Sequence, residues 1–503
     1  MLNLYPITPV GPQANDYSVK VNGRAAQLDT ARVSSVPYSR RWPGHQRQIE
    51  QTELVNFLSM AADEPVSVEI SSDTQDLSHA VVRPLSLGIH PQVEGNTARF
   101  TVPGPAYFTF EPNGRSHAMH FFIDEPEKNR PAADAPGVVY FGPGIHEPGL
   151  IKLEDNQTLY LEEGAVVFAC IRAFDARNIR ILGRGILDNS HNKERILFEA
   201  NAVGNEAAVK NAVREHAVQL EYCTNVQIDG ITIRDSLRYH IRPIGCRNLS
   251  ISNVKIIGSW RYNSDGIDMH NCENAIIDHC FVRTFDDAIC IKGFDCYYEG
   301  DVEAQVQKAM HYNGGNYENF RHALVRNCIV WNDWGRSLEI GAETRAREIC
   351  DIRFENCDII HVIDAPLDCY NVDYAHVHDI RYRGINIEYD DVIPLMRLQQ
   401  SDDEPYRPGP PESQPSVIAL SIVAHPEYSA GGNRRGINSG FLFEDIRLHS
   451  NKRPVYFYFS GYDREHLVSN VQIRNFQLNG RPLDLENECK QLVNQFCKDI
   501  RIE

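Results

Sequence analysis

The chain has 503 residues, a formal net charge of −18, 42% hydrophobic residues and 23% charged residues. This balance is ordinary for a soluble globular protein and predicts either several domains or one very large one. The negative charge argues against nucleic acid or an anionic membrane as the main partner, and no apolar run approaches the length of a membrane span. The sequence opens without a basic segment followed by an apolar one, so we expect a cytoplasmic protein, or a secreted one if a leader has been removed.

The cysteines give a second compositional signal. There are 13 of them, and none forms a CxxC pair. This usage predicts reduced, buried thiols rather than a disulfide framework or a zinc site. We therefore expect no metal and no cofactor. The sequence leaves open whether the protein forms a homo-oligomer.

Residues 1–130 contain short segments in which apolar and polar residues alternate, each bounded by Pro, Gly, Asn or Asp. The segments read "PVSVEIS", "HAVVRPLS", "TARFTVPGPAYFTFEP" and "SHAMHFFID". Alternation of this kind predicts strands of a small antiparallel β-sandwich. The polar, Pro-rich stretch "DEPEKNRPAADAPG" at 124–137 is typical of a linker and predicts a domain boundary.

A repeated pattern characterises residues 136–503: an apolar residue, two mostly polar ones, then apolar, any, apolar. Copies begin at Ile228, Ile251, Ile277, Val325, Phe354, Tyr382, Phe443 and Ile473. Most steps between copies are similar in length, and the two long ones, after Ile277 and after Tyr382, indicate coils with insertions. A short strand repeated at this period, with almost no helix between copies, is typical of a right-handed parallel β-helix. A Rossmann-like alternation would need a helix in every interval, and the intervals are too short.

Three cysteines support this register. Cys280, Cys328 and Cys357 occupy the position at which other copies have Ile231, Val254, Ile385, Ile446 and Phe476. Since that position is otherwise apolar, we expect these cysteines to point inward as small buried side chains, not as catalytic thiols or metal ligands.

Acidic residues mark one turn on two adjacent coils. In "NSDGID" and "FDDAIC", Asp265 on one coil and Asp286 and Asp287 on the next all stand just before a second apolar strand. Stacked coils are about 4.8 Å apart, so we expect the three carboxylates to meet on one face. They can span the roughly 6.5–9.5 Å that inverting glycosidases need to hold a water, and crowding raises one pKa, which provides a general acid. The alternative is structural, because Asn, Asp and Gly are the usual turn residues.

The same motifs resemble a known family. "NSDGID" and "FDDAIC", with their separation of 21 residues between Asp265 and Asp286, look like the paired acidic motifs of the polygalacturonases, glycoside hydrolase family 28. The coil pattern before them also resembles family 49, the dextranases and isopullulanases, which carry an N-terminal β-sandwich. The resemblance covers roughly residues 136–480. It implies an inverting hydrolase in which Asp286 is the general acid and Asp265 and Asp287 hold and activate the water.

Two departures from the family pattern concern the substrate. Polygalacturonases continue with a Gly-His-Gly motif, whereas this chain has "GRSLEIG", so Arg336 stands in place of the His. The Arg-x-Lys pair that grips a uronate is replaced by "DAPLDCYN", with Asp364 and Asp368. We therefore expect cleavage of α-linked neutral sugars of the glucan or dextran type, in oligosaccharides or polysaccharides and from a chain end. A polygalacturonase-like hydrolase of pectin or other uronides is the alternative.

Further residues near these turns are predicted to contact the substrate. The 27-residue stretch Phe294–Phe320 is rich in Tyr, Asn and Gly, and it could form an aromatic wall that closes one end of the cleft. A plain structural role remains open for each, such as pairing of Arg336 with Glu339 or Glu343. The predicted substrate-binding residues are Arg336, Lys292, His240, Arg242, Asp268, His270, Asp368 and Tyr297.

Two other function classes compete with a hydrolase. A β-helix polysaccharide lyase would need a calcium site of clustered acids and a cationic base, a role that Arg336 could take. It would release an unsaturated product that absorbs in the ultraviolet. A non-catalytic β-helix that binds glycans would keep all its properties when the aspartates are replaced.

Overall fold

The computed structural model describes residues 2–35, 49–191, 216–261, 263–293, 319–389, 415–426, 428–429 and 434–503, with a short strand pair Arg397–Leu398 and Arg407–Pro408. Regular structure in these ranges is β, apart from the 3-10 turns Ile49–Gln51 and Leu85–Leu87. Among the described residues, no helix is long and apolar enough to cross a membrane. The predicted all-β class is confirmed.

The N-terminal part is a sandwich of two sheets. The first has the strand order Leu2–Leu4, Thr52–Ala62, Met119–Asp124, Ala106–Glu111, Val81–Arg83, with Asp29–Ser34 also paired to Thr52–Ala62. The second has the order Arg24–Ala26, Ser18–Val21, Val66–Ser71, Thr97–Val102, Gln92–Glu94. Aromatic residues fill the space between them, as in the stacked rings of Phe108 and Phe121, whose centroids are 4.7 Å apart.

One strand pair of the sandwich corrects the antiparallel prediction. Met119–Asp124 runs parallel to Thr52–Ala62, while every other ladder described in the two sandwich sheets is antiparallel. The chain visits the second sheet between these two strands and returns in the original direction. Alternation of polar and apolar residues gives the buried face of a strand but not its direction, so the sequence pattern could not reveal this pair.

The C-terminal part is a parallel β-helix with three faces. The first face is a 12-stranded sheet of Val138–Phe141, Thr158–Leu161, Arg177–Gly183, Thr224–Asp229, Arg247–Ser252, Glu273–Asp278, Asn319–Arg326, Glu348–Glu355, His376–Arg383, Ile437–Glu444, Val468–Arg474 and Cys497–Ile502. The other two faces branch from the long strands Gly144–Leu153 and Ala165–Phe174 of one 21-stranded sheet.

The second face packs against the sandwich, and the third carries the cavity described below. The second face consists of Ile186–Asp188, Thr232–Arg234, Lys255–Ile257, Phe281–Thr284, Ile329–Asn332, Asp358–His361, Asn386–Glu388, Arg447–His449, Gln477–Leu478 and the short Arg481–Pro482. The third face consists of Val218–Glu221, Ile241–Ile244, Ile267–His270, Ile289–Lys292, Leu338–Ala342, Leu367–Asn371, Ser416–Ile422, Val455–Ser460 and Cys489–Val493.

The register of the 12-stranded sheet follows the sequence repeat. The predicted starts pair one with the next, so that they form a single continuous column across the sheet. All of them are fully buried: Ile228, Ile251, Ile277, Val325, Phe354, Tyr382, Phe443 and Ile473. Cys280, Cys328 and Cys357 are buried in the same core, as predicted.

Outside the core, an asparagine ladder marks the turn that precedes this column. Each side-chain amide donates to the amide oxygen of the preceding coil, over nitrogen–oxygen distances of 2.9–3.2 Å. These residues have left-handed backbone conformations, which Asn tolerates better than most side chains. The ladder repeats the same turn in five coils, through Asn156, Asn178, Asn225, Asn248 and Asn274.

The sandwich lies against the second face through a separate apolar cluster. Phe57, Tyr107 and Phe122 of the sandwich pack with Phe281 and Trp331 of the helix. A buried ion pair and a buried hydrogen bond cross the same boundary. The Nζ of Lys255 lies 3.1 Å from both Asp124 carboxylate oxygens, and the Nη1 of Arg283 lies 2.9 Å from the Nε2 of His120. The contact between the two parts is therefore both apolar and ionic.

Candidate active site

A cavity opens at the turn between the second and third faces. Its volume is ≈ 350 Å³. Acidic, basic and aromatic side chains share its wall. The lining residues are Tyr239, Asn263, Asp265, Asp286, Asp287, Lys292, Trp334, Gly335, Arg336, Ala342, Glu343, Asp364, Tyr370, His425 and Tyr428.

The Asp286–Asp287 turn is held by hydrogen bonds from two sides. The Thr284 hydroxyl and the Asn332 amide both donate to the carbonyl oxygen of Asp286, at 2.6 and 2.9 Å. The neighbouring coil passes so close that a Cβ on Gly335 would lie 2.4 Å from the Asp286 carbonyl carbon. Only glycine fits there, and its absence of a side chain lets the coil carry Arg336 to the same cavity.

Backbone ladders place the predicted residues in one stack. The Gly266 N–H donates to the Asp287 carbonyl, and the Ala288 N–H donates to the Arg336 carbonyl, both over 2.8 Å. Asp265, Asp287 and Arg336 therefore occupy equivalent places on three successive coils. This is the juxtaposition that the spacing predicts.

Burial and mutual repulsion govern the charges of the acids. Burial, and then the neighbouring Asp268, raise the pKa of Asp265 well above its usual range. Burial and the adjacent Asp287 do the same to the pKa of Asp286. Asp287 is the most solvent-accessible of the predicted catalytic acids, with 17% of its side chain exposed. The arrangement can therefore hold a protonated carboxyl beside an ionised one.

Arg336 lies among three carboxylates. Its Nη1 is 2.8 Å from Glu339 Oε1, and its Nε is 3.1 Å from Asp368 Oδ2 and 3.7 Å from Asp364 Oδ2. Its guanidinium also lies 4.7 Å from the ring centroid of Tyr370. Burial raises the pKa of Asp368 to about 7 despite the opposing effect of Arg336.

Five predicted substrate contacts are not among the residues that line the cavity: His240, Arg242, Asp268, His270 and Asp368. His240 is fully buried, with Nδ1 at 2.7 Å from the Asp265 carbonyl and Nε2 at 3.2 Å from the Ser259 hydroxyl. Arg242 and Asp268 are buried, and His270 lies 3.2 Å from the Gly293 carbonyl through Nδ1. Their role in substrate binding stays a prediction.

The structure also adds residues that the sequence did not indicate, and it leaves one prediction outside its range. Tyr239, Trp334, Tyr370 and Tyr428 supply aromatic rings to the cavity wall. Trp334 stacks on Phe285 with ring centroids 5.5 Å apart, directly beside the acidic turn. None belongs to a repeated motif, and they approach one another only through the stacking of coils. Tyr297 lies outside the described residues.

Two groups of side chains in the described part of the chain could offer ligands to a metal ion. Within each group the ligand atoms lie within 4.8 Å of one another. Asp287, Cys290 and Glu339 form the first group at the cavity, where Arg336 already contacts Glu339. Glu348, Cys350 and His378 form the second on the 12-stranded sheet, where Arg321 contacts Glu348 at 2.5 Å. A guanidinium beside each group opposes the binding of another cation.

The fold and this cavity define a parallel β-helix protein with an acidic cleft, and comparison with known proteins identifies its relatives. The family profile described as "Glycosyl hydrolases family 28" matches residues 142–311, a segment that contains Asp265, Asp286 and Asp287 and ends before Arg336. The chain resembles this family, as the acidic motifs predict.

Curated relatives and one solved structure extend this resemblance. The chain is 31% identical over 86 residues to "Probable polygalacturonase" of Vitis vinifera, covering 17% of this chain and 18% of that protein. It is 31% identical over 123 residues to "Polygalacturonase" of Gossypium barbadense, covering 24% of this chain and 29% of that protein. The matches thus span less than a third of these relatives' length.

The solved structure "Dex49A from Penicillium minioluteum" aligns with a TM-score of 0.53 and 14% identity, over 99% of this chain and 90% of that one. This likeness extends across the sandwich as well as the β-helix. The predicted resemblance to family 28 is confirmed by the profile match, and the predicted fold is confirmed by the likeness to Dex49A.

Proposed function

We propose that the protein is an inverting glycoside hydrolase acting on α-glycosidic bonds, with Asp286 as general acid and Asp265 and Asp287 as the groups that hold and activate water. The observation that carries this proposal is the convergence of the three aspartates, from two adjacent coils, on one cavity. The resemblance to family 28 over the same residues supports it.

The proposed chemistry assigns a separate role to each carboxyl group. Asp286 Oδ1 accepts the Asp287 N–H at 3.1 Å, while Oδ2 is buried, has no hydrogen-bond partner among the described residues and can carry the proton. Asp286 donates that proton to the glycosidic oxygen as the bond to the anomeric carbon breaks. A water on the opposite face forms the new bond and gives its proton to Asp287, with Asp265 holding the water. The anomeric configuration inverts.

For the substrate, we propose an α-linked neutral sugar that is removed from a chain end. Both cations that line the cavity already contact carboxylates: Arg336 contacts Glu339 and Asp368, and Lys292 contacts Asp268 and Glu343. A uronate carboxylate would have to compete with these fixed partners, and a charged group without a partner binds poorly. Aromatic rings such as Tyr370 offer apolar faces on which a neutral sugar can stack.

Hydrolysis of a uronide is the second candidate. The curated relatives carry the name polygalacturonase, and 24% of the Arg336 side chain is exposed at the cavity wall. A uronate that displaced Asp364 from Arg336 would gain an ion pair. This candidate requires the guanidinium to exchange one carboxylate for another.

The test is hydrolysis of matched oligosaccharide panels, with α-glucans on one side and oligogalacturonates on the other. We expect a monosaccharide or a single disaccharide from the α-glucan panel at the earliest time points, and no product from Asp286→Asn. A rapid fall in the viscosity of polygalacturonate, with mixed oligomers first, would contradict both the neutral sugar and the exo mode. An unsaturated product absorbing in the ultraviolet would identify a lyase instead.

A further inference from the structure

Lys292 is predicted from sequence to bind a sugar hydroxyl, but its ammonium group has other contacts. The Nζ atom lies 3.0 Å from Asp268 Oδ2, 3.3 Å from Glu343 Oε2, 3.7 Å from Asp265 Oδ2 and 3.9 Å from Asp287 Oδ2. Only 4% of the side chain is exposed. An ammonium group has three N–H donors, and four carboxylates already surround this one. Its contacts are therefore with the acidic cluster, of which Asp268 and Glu343 lie nearest.

The fold explains why a lysine reaches this position. Lys292 ends the strand Ile289–Lys292 that follows the acidic turn, and it pairs in register with His270 on the preceding coil. The ring of Tyr239 covers it, with its centroid 5.4 Å from Nζ. Two of its carboxylate partners lie on the preceding coil, and one lies on the following coil. The ammonium therefore links three levels of the β-helix.

We propose that Lys292 is a positioning residue whose ammonium attracts the carboxyl groups of Asp265 and Asp287 and so holds them in place around the attacking water. The inference rests on the proposed hydrolase. Asp265 Oδ2 and Asp287 Oδ2 lie 3.7 and 3.9 Å from the cation, close enough to be attracted by its charge.

The pKa shifts of Lys292 and of the carboxyl groups around it agree with these contacts. Burial opposes the charge on Lys292, yet Asp268 and Glu343 outweigh it, and the pKa of the ammonium is raised well above its usual value. Lys292 in turn lowers the pKa of Asp265, against the larger effect of burial. The titratable and charged groups that face this cation are Tyr239, Asp265, Asp268, His270, Asp286, Asp287, Cys290, Glu339 and Glu343.

The test compares Lys292→Gln, which removes the charge, with Lys292→Arg, which keeps it. An opposite charge within about 4–6 Å lowers a carboxyl pKa by about 1–3 units. Loss of that charge should therefore shift the acid limb of the pH profile of kcat/KM to higher pH by about the same amount. We expect kcat of Lys292→Gln to fall by about 100-fold with KM little changed, since the interaction acts on the reacting groups. Lys292→Arg should restore the wild-type limb.

Lys255→Met is the matched control, because Lys255 is also a buried lysine paired with a carboxylate, but at the sandwich boundary. It should lower stability and leave the acid limb unchanged. If Lys292→Gln does not fold while Lys292→Arg folds with the wild-type limb, the requirement for charge is supported. A rise in KM with kcat and the acid limb unchanged would show a sugar ligand and overturn the inference.

A second measurement does not depend on turnover. Potentiometric titration of folded wild type and Lys292→Gln counts protons bound between pH 4 and 7, where we expect the variant to bind about one more proton. If wild type cleaves no glycoside, the proposed hydrolase fails and this titration alone decides the role of Lys292. Equal curves would reject it.

Discussion

Replacement of Asp286 by Asn tests the proposed general acid most directly. The residue is 6% exposed, and its Oδ1 accepts the Asp287 N–H at 3.1 Å, a contact that an asparagine oxygen can keep. The amide cannot deliver a proton to a leaving oxygen. General acid catalysis contributes about 10²–10⁴-fold, which corresponds to about 3–5 kcal/mol of transition-state stabilisation. We expect kcat to fall by at least this range.

The fold should tolerate this change. Burial and the adjacent Asp287 raise the pKa of Asp286, which favours its neutral form, and asparagine is a neutral group of nearly the same shape, so the thermal midpoint should remain near that of wild type. Initial rates are measured with a natural glycoside and with an aryl glycoside whose leaving group needs no protonation. The aryl substrate should lose much less rate. Asp278→Asn, on the outer face of the same coil, is the control and should behave as wild type.

Two results would refute the reasoning about Asp286. The first is a rate within roughly tenfold of wild type on the natural substrate, because general acid catalysis is worth more than that. The second is an equal loss on both substrates, since that would point to a role in binding or folding rather than in protonation of the leaving group.

Three further predictions concern mechanism, pH and packing. Proton NMR of the first product, before mutarotation, should show the inverted anomer, and a retained anomer would overturn the proposed mechanism. Because burial raises the pKa of Asp368 from 3.8 to about 7, the folded state binds its proton more tightly than the unfolded chain, so its contribution to stability is full below about pH 4 and is lost towards pH 7. Thermal melts of Asp368→Asn should therefore vary less between pH 4 and 7 than wild type, and an identical slope would contradict this. Trp331→Ala should reduce the unfolding free energy by about 3–5 kcal/mol in urea denaturation, since the side chain is fully buried; a loss below about 1 kcal/mol would show that the boundary repacks.

The features that could be predicted from the sequence are those that recur from one coil to the next. The column from Ile228 to Ile473 could be found because each coil buries a residue at the same place, and the register of the 12-stranded sheet matches it. Asp265 and Asp286 could be found because their turns align once the coils are stacked. Both inferences needed only the period of the pattern and the spacing between parallel strands.

Residues that act alone in their coil could not be predicted in the same way. Tyr239, Trp334 and Tyr370 reach the cavity from three different coils, and nothing in their local sequence distinguishes them from core aromatics. The charge environment of Lys292 was also hidden, because its four carboxylate partners depend on side-chain positions across three coils. Periodicity gives the height of a residue along the β-helix but not the direction of a long side chain.

The packing of the sandwich on the second face limits how this protein can be divided. The strand Phe281–Thr284 contacts the sandwich through Phe281 and Arg283, and just beyond its end the chain reaches Asp286. Removal of the sandwich would expose Trp331 and leave the charge of Lys255 without Asp124. We therefore expect the isolated β-helix to be less stable than the whole chain, so fusion or swapping experiments should carry the sandwich with it.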